Sequence, residues 1–179
     1  MKRLIQSSPK KLALAAAVVL TSAALAVIVI PQQLTVFRGK VVSGNLSSVF
    51  TSDNNRLVVM GGPTINGYEA PLDVRFDALC STDLPSRLVL TLETKANSPG
   101  LTQYVDMFEW NSNQWVTLDT REVSMVDTTM NLDIPVCWRF AKPGTGQMKL
   151  RYWVANQGPV TIPNWSVGID QMNWDVDPQ

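Results

Sequence analysis

The chain has 179 residues, which is enough for one ordinary domain and a short additional segment. It carries 15 basic and 15 acidic side chains and no histidine, so its formal net charge is zero. The lack of histidine excludes histidine-ligated metals and Ser-His-Asp or Cys-His catalysis within a single chain. The balanced charge argues against nucleic-acid binding, because phosphate neutralisation needs an excess of basic residues.

The first 30 residues predict export across a membrane. Residues 1–11 contain four basic side chains and no acidic one, and residues 12–30 are apolar except for Thr21 and Ser22. A helix over 12–30 would be roughly 28 Å long at about 1.5 Å per residue, close to the roughly 30 Å of a bilayer core. The flanking lysines predict that 1–11 is a cytoplasmic basic region, and Pro31 ends the helix.

Two interpretations of this helix remain open. In the first it is an uncleaved signal anchor, so that the protein is a single-pass protein of the cytoplasmic membrane with its C-terminal domain outside the cytoplasm. In the second it is a signal peptide, cleaved near Ala26 after the small-x-small sequence 24–26, and the protein is secreted. The apolar run continues past Ala26 to Ile30, which favours the anchor. Residues 31–36 are then a short linker, and 37–179 form the domain.

The remainder of the chain predicts β-strands. Short runs of β-branched and aromatic residues alternate with Gly, Pro, Asn, Asp and Ser. We expect nine strands, over 34–42, 56–60, 72–77, 87–94, 103–110, 114–119, 129–134, 147–154 and 165–176. The apolar phase of the last run slips by one residue at Asp170, which predicts a β-bulge or a bend between sheets. The pattern indicates an all-β fold, a two-sheet antiparallel β-sandwich of the jelly-roll kind, with an immunoglobulin-like sandwich as the alternative.

Several segments of the sequence resemble those of a known group of protein modules. They are 37–46, 50–57, the predicted hairpin 108–119, and the terminal runs 148–152 and 165–172. Together they resemble uncharacterised β-sandwich modules of bacterial secreted and surface proteins, similar to the galactose-binding-like jelly rolls. This resemblance implies a fold and no particular ligand, since that superfamily includes carbohydrate binders and protein-binding modules.

Four residues are candidates for a disulfide and for a metal site. Cys80 and Cys137 are the only cysteines, and in an exported domain they are candidates for one disulfide, the alternative being two separate buried thiols. Asp53 and Asp170 are weak candidates for a calcium site, because carboxylate and amide oxygens suit that ion. The alternative for Asp53 is ordinary turn chemistry in the Ser-Asp-Asn-Asn sequence. No cofactor is otherwise expected.

The tryptophans are the candidates for ligand contact. The alternation of the strands predicts that Trp165 and Trp174 are core residues and that Trp153 lies on a polar face with Lys149 and Arg151. Exposed flat aromatic rings are the usual platforms for sugars. Trp115, Trp153 and Arg151 are therefore ligand-binding candidates, with packing of the rings and cation–π capping by Arg151 as the alternative.

Three functions are compatible with these observations. The first is a non-catalytic module, tethered to the membrane or secreted, that binds a glycan or an envelope protein at the cell surface. The second is a structural or assembly protein that pairs through its edge strands. The third is a small hydrolase that uses two carboxylates, although no catalytic spacing distinguishes any pair among the 15 acidic residues.

Overall fold

The computed structural model describes residues 25–64, 69–156 and 164–178. In these ranges the chain forms strands and two short 3-10 helices, over Leu46–Val49 and Cys137–Phe140. The strands are β1 (Val27–Val29), β2 (Gln33–Arg38), β3 (Lys40–Ser43), β4 (Leu57–Met60), β5 (Leu72–Leu79), β6 (Pro85–Ala96), β7 (Leu101–Glu109), β8 (Gln114–Glu122), β9 (Thr128–Asp133), β10 (Gln147–Asn156) and β11 (Ser166–Pro178). Eight of the nine expected strands are found within a few residues of their expected bounds, and the remaining one, 34–42, is divided into two strands.

The strands form two antiparallel sheets. Sheet A has the order β3-β4-β11-β6-β9, with β1 also paired to β11, and sheet B has the order β2-β5-β10-β7-β8. The pairs β4–β11, β5–β10, β6–β9 and β7–β8 are nested in sequence, as in a long hairpin that is rolled into two sheets. This nested pairing defines a jelly roll, so the expected fold class is confirmed. The immunoglobulin-like alternative has a different strand order and is wrong.

The core lies between the two sheets and follows the predicted alternation. Leu88, Leu90 and Leu92 of β6 are fully buried, as are Met148, Leu150, Tyr152 and Val154 of β10. Trp165 and Trp174 of the last strand region are buried, as their apolar phase predicts. The side chains of successive residues on each strand therefore point alternately to the core and to the outer face.

One polar contact crosses the core. Tyr152 Oη donates a hydrogen bond of 3.0 Å to Gln103 Oε1 in sheet B, and Thr94 Oγ1 in sheet A donates to the same oxygen at 3.1 Å. Burial raises the pKa of the Tyr152 phenol far above its usual value, because the phenolate would be desolvated. Tyr152 therefore stays a neutral donor, and the acceptor links the two sheets.

Two irregularities position the strands. β11 shifts its register against β6 between Ile169 and Gln171, which confirms the bulge expected at Asp170. The expected single strand 34–42 is instead two strands in different sheets, β2 and β3, separated at Gly39. Gly39 has φ of 101°, and a Cβ there would lie 2.7 Å from the Met60 carbonyl oxygen, so both backbone and space require glycine.

The expected apolar helix over 12–30 needs correction at its C-terminal end. Residues 1–24, with the basic region and most of that helix, lie outside the described residues, but Val27–Val29 form β1 and pair with β11 opposite Trp174–Val176. The β-branched sequence Val-Ile-Val favours a strand once an unpaired edge of β11 is within reach. β2 likewise occupies most of the expected linker 31–36. Among the described residues, no helix has the length and hydropathy needed to cross a bilayer.

Candidate functional site

The outer face of sheet B carries most of the solvent-facing aromatic rings together with a network of charged side chains. We call it the sheet B face and define it by residues of all five strands: Phe37, Asp73, Arg75, Tyr104, Asp106, Phe108, Trp115, Lys149, Arg151 and Trp153. Strand register brings these residues together from sequence positions up to 116 apart. Arg151 of β10 lies opposite Arg75 of β5 and Asp106 of β7. Directly opposed residues share a face, so all of them point away from the core.

Arg151 lies at the centre of the charged network. Its Nε is 2.9 Å from Asp73 Oδ2, and its Nη1 is 3.7 Å from Asp106 Oδ2. Arg75 adds two contacts of 3.2 Å to Asp73, through Nε and Nη2. The Asp73 and Asp106 side chains are only 2% and 4% exposed, so their charges are held in a poorly solvated layer beneath the aromatic rings. Buried carboxylates of this kind need cationic partners, and Arg151 serves both.

Asp106 keeps one oxygen without a partner. Its Oδ2 accepts a hydrogen bond of 2.8 Å from Trp153 Nε1, but its Oδ1 is buried and has no hydrogen-bond partner among the residues that the structure describes. A buried carboxylate oxygen without a donor is unfavourable and is uncommon in folded proteins. Because this oxygen has almost no solvent-accessible surface, it belongs to the buried layer under the rings and is not itself open to a ligand on the face.

The aromatic rings lie on both sides of this network. Trp153 stacks on Tyr104 of β7 with a centroid distance of 3.7 Å and an interplanar angle of 3°. The Arg75 guanidinium lies 4.1 Å from the ring centre of Phe37 and 5.7 Å from that of Trp115. Arg75 and Trp115 are on strands separated by β10 and β7, a distance of about 14 Å between strand axes. Their side chains must therefore lean towards each other across the face.

A second aromatic group lies where β7 ends. Phe108 contacts Trp110 and Trp115 edge to face, at centroid distances of 4.9 and 5.3 Å. The Lys149 ammonium lies 5.3 Å from the Trp110 ring, and the Lys142 ammonium lies 5.1 Å from the same ring. The adjacent Asn111–Asn113 turn confirms the hairpin that the sequence predicts, with Asn113 at φ of 57°. Aromatic surface and positive charge therefore continue to this end of the face.

The structure places the three predicted ligand-binding residues on one face, but it changes their roles. Trp153 has one ring face covered by Tyr104 and its indole N–H bound by Asp106, so it is half-buried and is not an open platform. Arg151 is 25% exposed and pairs with two aspartates, which makes it chiefly a supporting residue. Trp115 is half-buried at the outer strand. Sequence reasoning missed Phe37, which is 60% exposed, because its strand could not be assigned to sheet B.

The two predicted metal residues are near each other. The backbone N–H of Asn54 donates a hydrogen bond of 3.0 Å to Asp170 Oδ2, so the turn that contains Asp53 packs on the β11 bulge. Asp53 Oδ1 accepts from the Asn55 N–H at 2.9 Å, which is the turn chemistry weighed as the alternative, and Arg56 donates to the Asn54 amide oxygen. No cluster of three or more His, Cys, Asp or Glu able to hold a metal occurs in the described ranges, and calcium binding stays a prediction.

The predicted disulfide is not present. Cys80 and Cys137 are both buried free thiols, as the alternative interpretation expected. Cys137 Sγ–H donates a hydrogen bond of 3.0 Å to the Pro85 carbonyl, so its side chain is already engaged in holding the Cys137–Phe140 helix to β6. Burial raises the pKa of the Cys137 thiol, which keeps it protonated and unreactive.

Comparisons with known proteins concern the fold only. No protein-family model matches the chain, and no curated protein matches it in sequence. Similar solved structures include TmCBM61 in complex with β-1,4-galactotriose, with 12% identity, a TM-score of 0.47, and coverage of 79% of this chain and 86% of that one. A family 4 module has 10% identity and a TM-score of 0.47, with coverage of 83% of this chain and 89% of that one. A family 29 carbohydrate-binding module has 10% identity and a TM-score of 0.42, with coverage of 80% of this chain and 88% of that one. The jelly-roll architecture of this chain rests on the nested strand pairs.

Proposed function

We propose that the domain is a non-catalytic carbohydrate-binding module that holds a glycan on the sheet B face. The observation that carries this proposal is an exposed aromatic ring, Phe37, beside the partly exposed guanidinium group of Arg75, which lies 4.1 Å from the ring centre. A sugar ring has apolar C–H surfaces and a rim of hydroxyl groups. Aromatic rings match the first, and the partly exposed guanidinium N–H groups of Arg75 match the oxygen atoms of the second.

Two features of the structure argue against the alternative functions. A glycosidase needs two carboxyl groups with substrate between them, whereas Arg151 lies between Asp73 and Asp106. Assembly through an edge strand needs a long, uncharged edge. Edge strand β3 of sheet A has four residues and begins with Lys40, and the longer edge strand β8 of sheet B carries Asp119, Arg121 and Glu122. Short length and charged side chains both protect a sheet edge from pairing.

A binding screen tests the proposal directly. The domain is titrated by calorimetry with cellohexaose, mannohexaose, xylohexaose, chitohexaose and β-1,4-galactotriose. We expect one of them to bind, and Phe37→Ala and Trp115→Ala each to weaken that binding about tenfold, as loss of an aromatic contact does. Val42→Ala is the matched control, since Val42 is 59% exposed, close to the 60% of Phe37, but lies on β3 in sheet A. No binding to any probe, or equal losses in Val42→Ala, would overturn the proposal.

We propose in addition that the chain is exported and cleaved before Val27. Since Val27–Val29 are a strand of the sandwich and Val29 is buried, a membrane helix would have to end by Ala26. Residues 12–26 would then span only about 22 Å, which is short of a bilayer core of roughly 30 Å. This shortening favours a cleaved signal peptide over the anchor.

Intact mass distinguishes the two forms. The protein is purified separately from the membrane fraction and from the medium or periplasm of the producing cell. We expect a soluble species with the mass of a chain that starts at Val27. A full-length mass confined to membranes would refute cleavage and restore the tethered form.

A further inference from the structure

A second concave surface lies at one end of sheet A, outside the sheet B face. It is a cavity of about 480 Å³ between the start of β6 and the segment that leads from β9 into the Cys137–Phe140 helix. Its lining includes Ser86, Arg87, Asp133, Val136 and Trp138. Pockets of this size accommodate small ligands, and this one combines apolar surface with a few polar groups.

The backbone at this cavity is strained. Val136 has φ of 53° and ψ of 45°, a left-handed conformation that is unfavourable for a β-branched residue. Its side chain is 50% exposed, so burial of this side chain in the core does not compensate for the unfavourable backbone conformation. Strain of this kind persists only where surrounding contacts impose it, and it is concentrated at functional sites.

The contacts that impose it are on both sides of Val136. The Ile134 N–H donates to the Leu88 carbonyl at 2.9 Å, and the Arg139 N–H donates to the Val136 carbonyl at 3.2 Å. Cys137 Sγ–H donates to the Pro85 carbonyl at 3.0 Å. Each of these bonds anchors the segment to β6 or closes the helix that follows. The strained turn is therefore a fixed feature of this end of the sandwich.

The consequence of the turn is the exposure of Trp138. Cys137 and Phe140 point into the core, while Trp138 remains 44% exposed. All six tryptophans lie in the described ranges, and Trp138 is the one that the structure leaves exposed rather than buried or half-buried. Exposing the largest apolar side chain by means of a strained turn requires an explanation other than packing.

The polar groups beside Trp138 can both donate and accept hydrogen bonds. Arg87 is 50% exposed, and its Nη1 lies 3.7 Å from carboxylates of Asp175 and Asp177, too far for hydrogen bonds. Its N–H groups can therefore donate to a ligand in the cavity. Asp133 is exposed at the end of β9 and supplies acceptors. Hydroxyl groups are among the ligand groups that use donors and acceptors together.

We propose that this cavity is a second carbohydrate site, in which one sugar ring stacks on Trp138 and its hydroxyls contact Arg87 and Asp133. The ligand class rests on the proposed function, whereas the site stands on its own geometry. The domain would then have two separate contacts with a glycan, on the sheet B face and at the end of sheet A. Two such contacts strengthen binding to a polymer beyond either contact alone.

The indole N–H signals of ¹⁵N-labelled protein test the site. The six signals are assigned with Trp→Phe variants. They are then followed during titration with methyl β-galactoside, methyl β-glucoside, methyl α-mannoside and N-acetylglucosamine. Each sugar is added to about 10 mM, a concentration that detects the weak binding of a single sugar ring. We expect a saturable shift of the Trp138 signal with at least one probe. Arg87→Gln should weaken this binding about tenfold through loss of a charged donor. Trp115→Ala should leave it unchanged.

The outcomes separate this inference from the proposed function. A static Trp138 signal with all four sugars overturns the second site, even if the Trp115 and Trp153 signals move. A moving Trp138 signal with static sheet B signals supports the second site and counts against the sheet B face. A Trp138 shift that is lost in Trp115→Ala also overturns the inference, because it would then report the sheet B face.

Discussion

Replacing Arg151 with methionine should destabilise the domain far more than replacing its neighbour Arg75. Arg151 contacts Asp73 at 2.9 Å and is the cation nearest to Asp106, whose side chain is 4% exposed. Arg75 contacts only Asp73 among these aspartates and is 31% exposed. In Arg151→Met, Asp73 keeps Arg75, but Asp106 keeps only the Trp153 indole N–H. The variant therefore leaves a buried carboxylate without a cation.

The expected magnitudes follow from burial. Removing one partner of a buried ion pair costs about 3 to 5 kcal/mol, and the 25% exposure of Arg151 favours the lower end, about 3 kcal/mol. Arg75→Met should cost about 1 kcal/mol or less, since its head group is partly solvated and Asp73 keeps Arg151. Adding Asp106→Asn to Arg151→Met removes the orphaned charge and should restore about 2 kcal/mol.

Urea unfolding followed by tryptophan fluorescence measures these differences as shifts in the free energy of unfolding. The double-mutant cycle over Arg151 and Asp106 gives their coupling directly. Equal losses in Arg151→Met and Arg75→Met would refute the central role of Arg151. Failure of Asp106→Asn to restore stability in the Arg151→Met background would show that the orphaned charge is not the cause.

Three further predictions concern other parts of the sandwich. Hydrogen bonds from Arg139, and to a smaller extent from Ser112, lower the pKa of Glu109 below its ordinary value of 4.5. The ionised carboxylate therefore stabilises the fold above pH 4.5, and this stabilisation is lost as the pH falls through the lower pKa of the folded state. Between pH 6 and about 3, the midpoint of urea unfolding should fall less steeply in Glu109→Gln than in the unchanged protein. Cys80 and Cys137 should both be unreactive to a thiol reagent in the native protein and both react in denaturant, whereas no reaction in denaturant would reveal a disulfide. Val136→Asn should raise the free energy of unfolding by about 1 kcal/mol, because asparagine tolerates the left-handed conformation; a loss in thermal or urea stability would show that valine is not strained there.

The alternation of apolar residues was sufficient to predict the core and most strands. Leu88 and Leu150 could be assigned to the core because period-2 alternation is a local property of one strand. The division of 34–42 at Gly39 could not be predicted, since nothing local shows that β2 and β3 belong to different sheets. β1 was hidden in an apolar run that also fits a membrane helix, and only its pairing with β11 distinguishes the two.

The candidate site was harder to predict than the core because its composition depends on pairing between distant strands. The sequence could place Trp153 and Arg151 on one face of β10, but it could not show that Asp106 and Tyr104 lie opposite them on β7. Trp138 was missed for a different reason. Its exposure follows from the left-handed Val136 and from the Cys137 anchor, and neither has a signal in the order of residue types.

The jelly-roll topology explains why the charged network and the aromatic rings occur together. β10 is flanked by β5 and β7, so its outward residues Arg151 and Trp153 each lie opposite one residue from the early chain and one from the middle. A slip of one residue in the pairing of β10 with β5 or with β7 would turn Arg151 to the core and Tyr152 to solvent. The contacts of Arg151 with Asp73 and Asp106 would then be lost together with the hydrogen bond from Tyr152 to Gln103. The buried aspartates are therefore compatible with only one register of β10, and this register places Tyr104 against Trp153. The ion pairs and the aromatic surface depend on the same alignment, so a register that satisfies the buried charges also assembles the proposed glycan face.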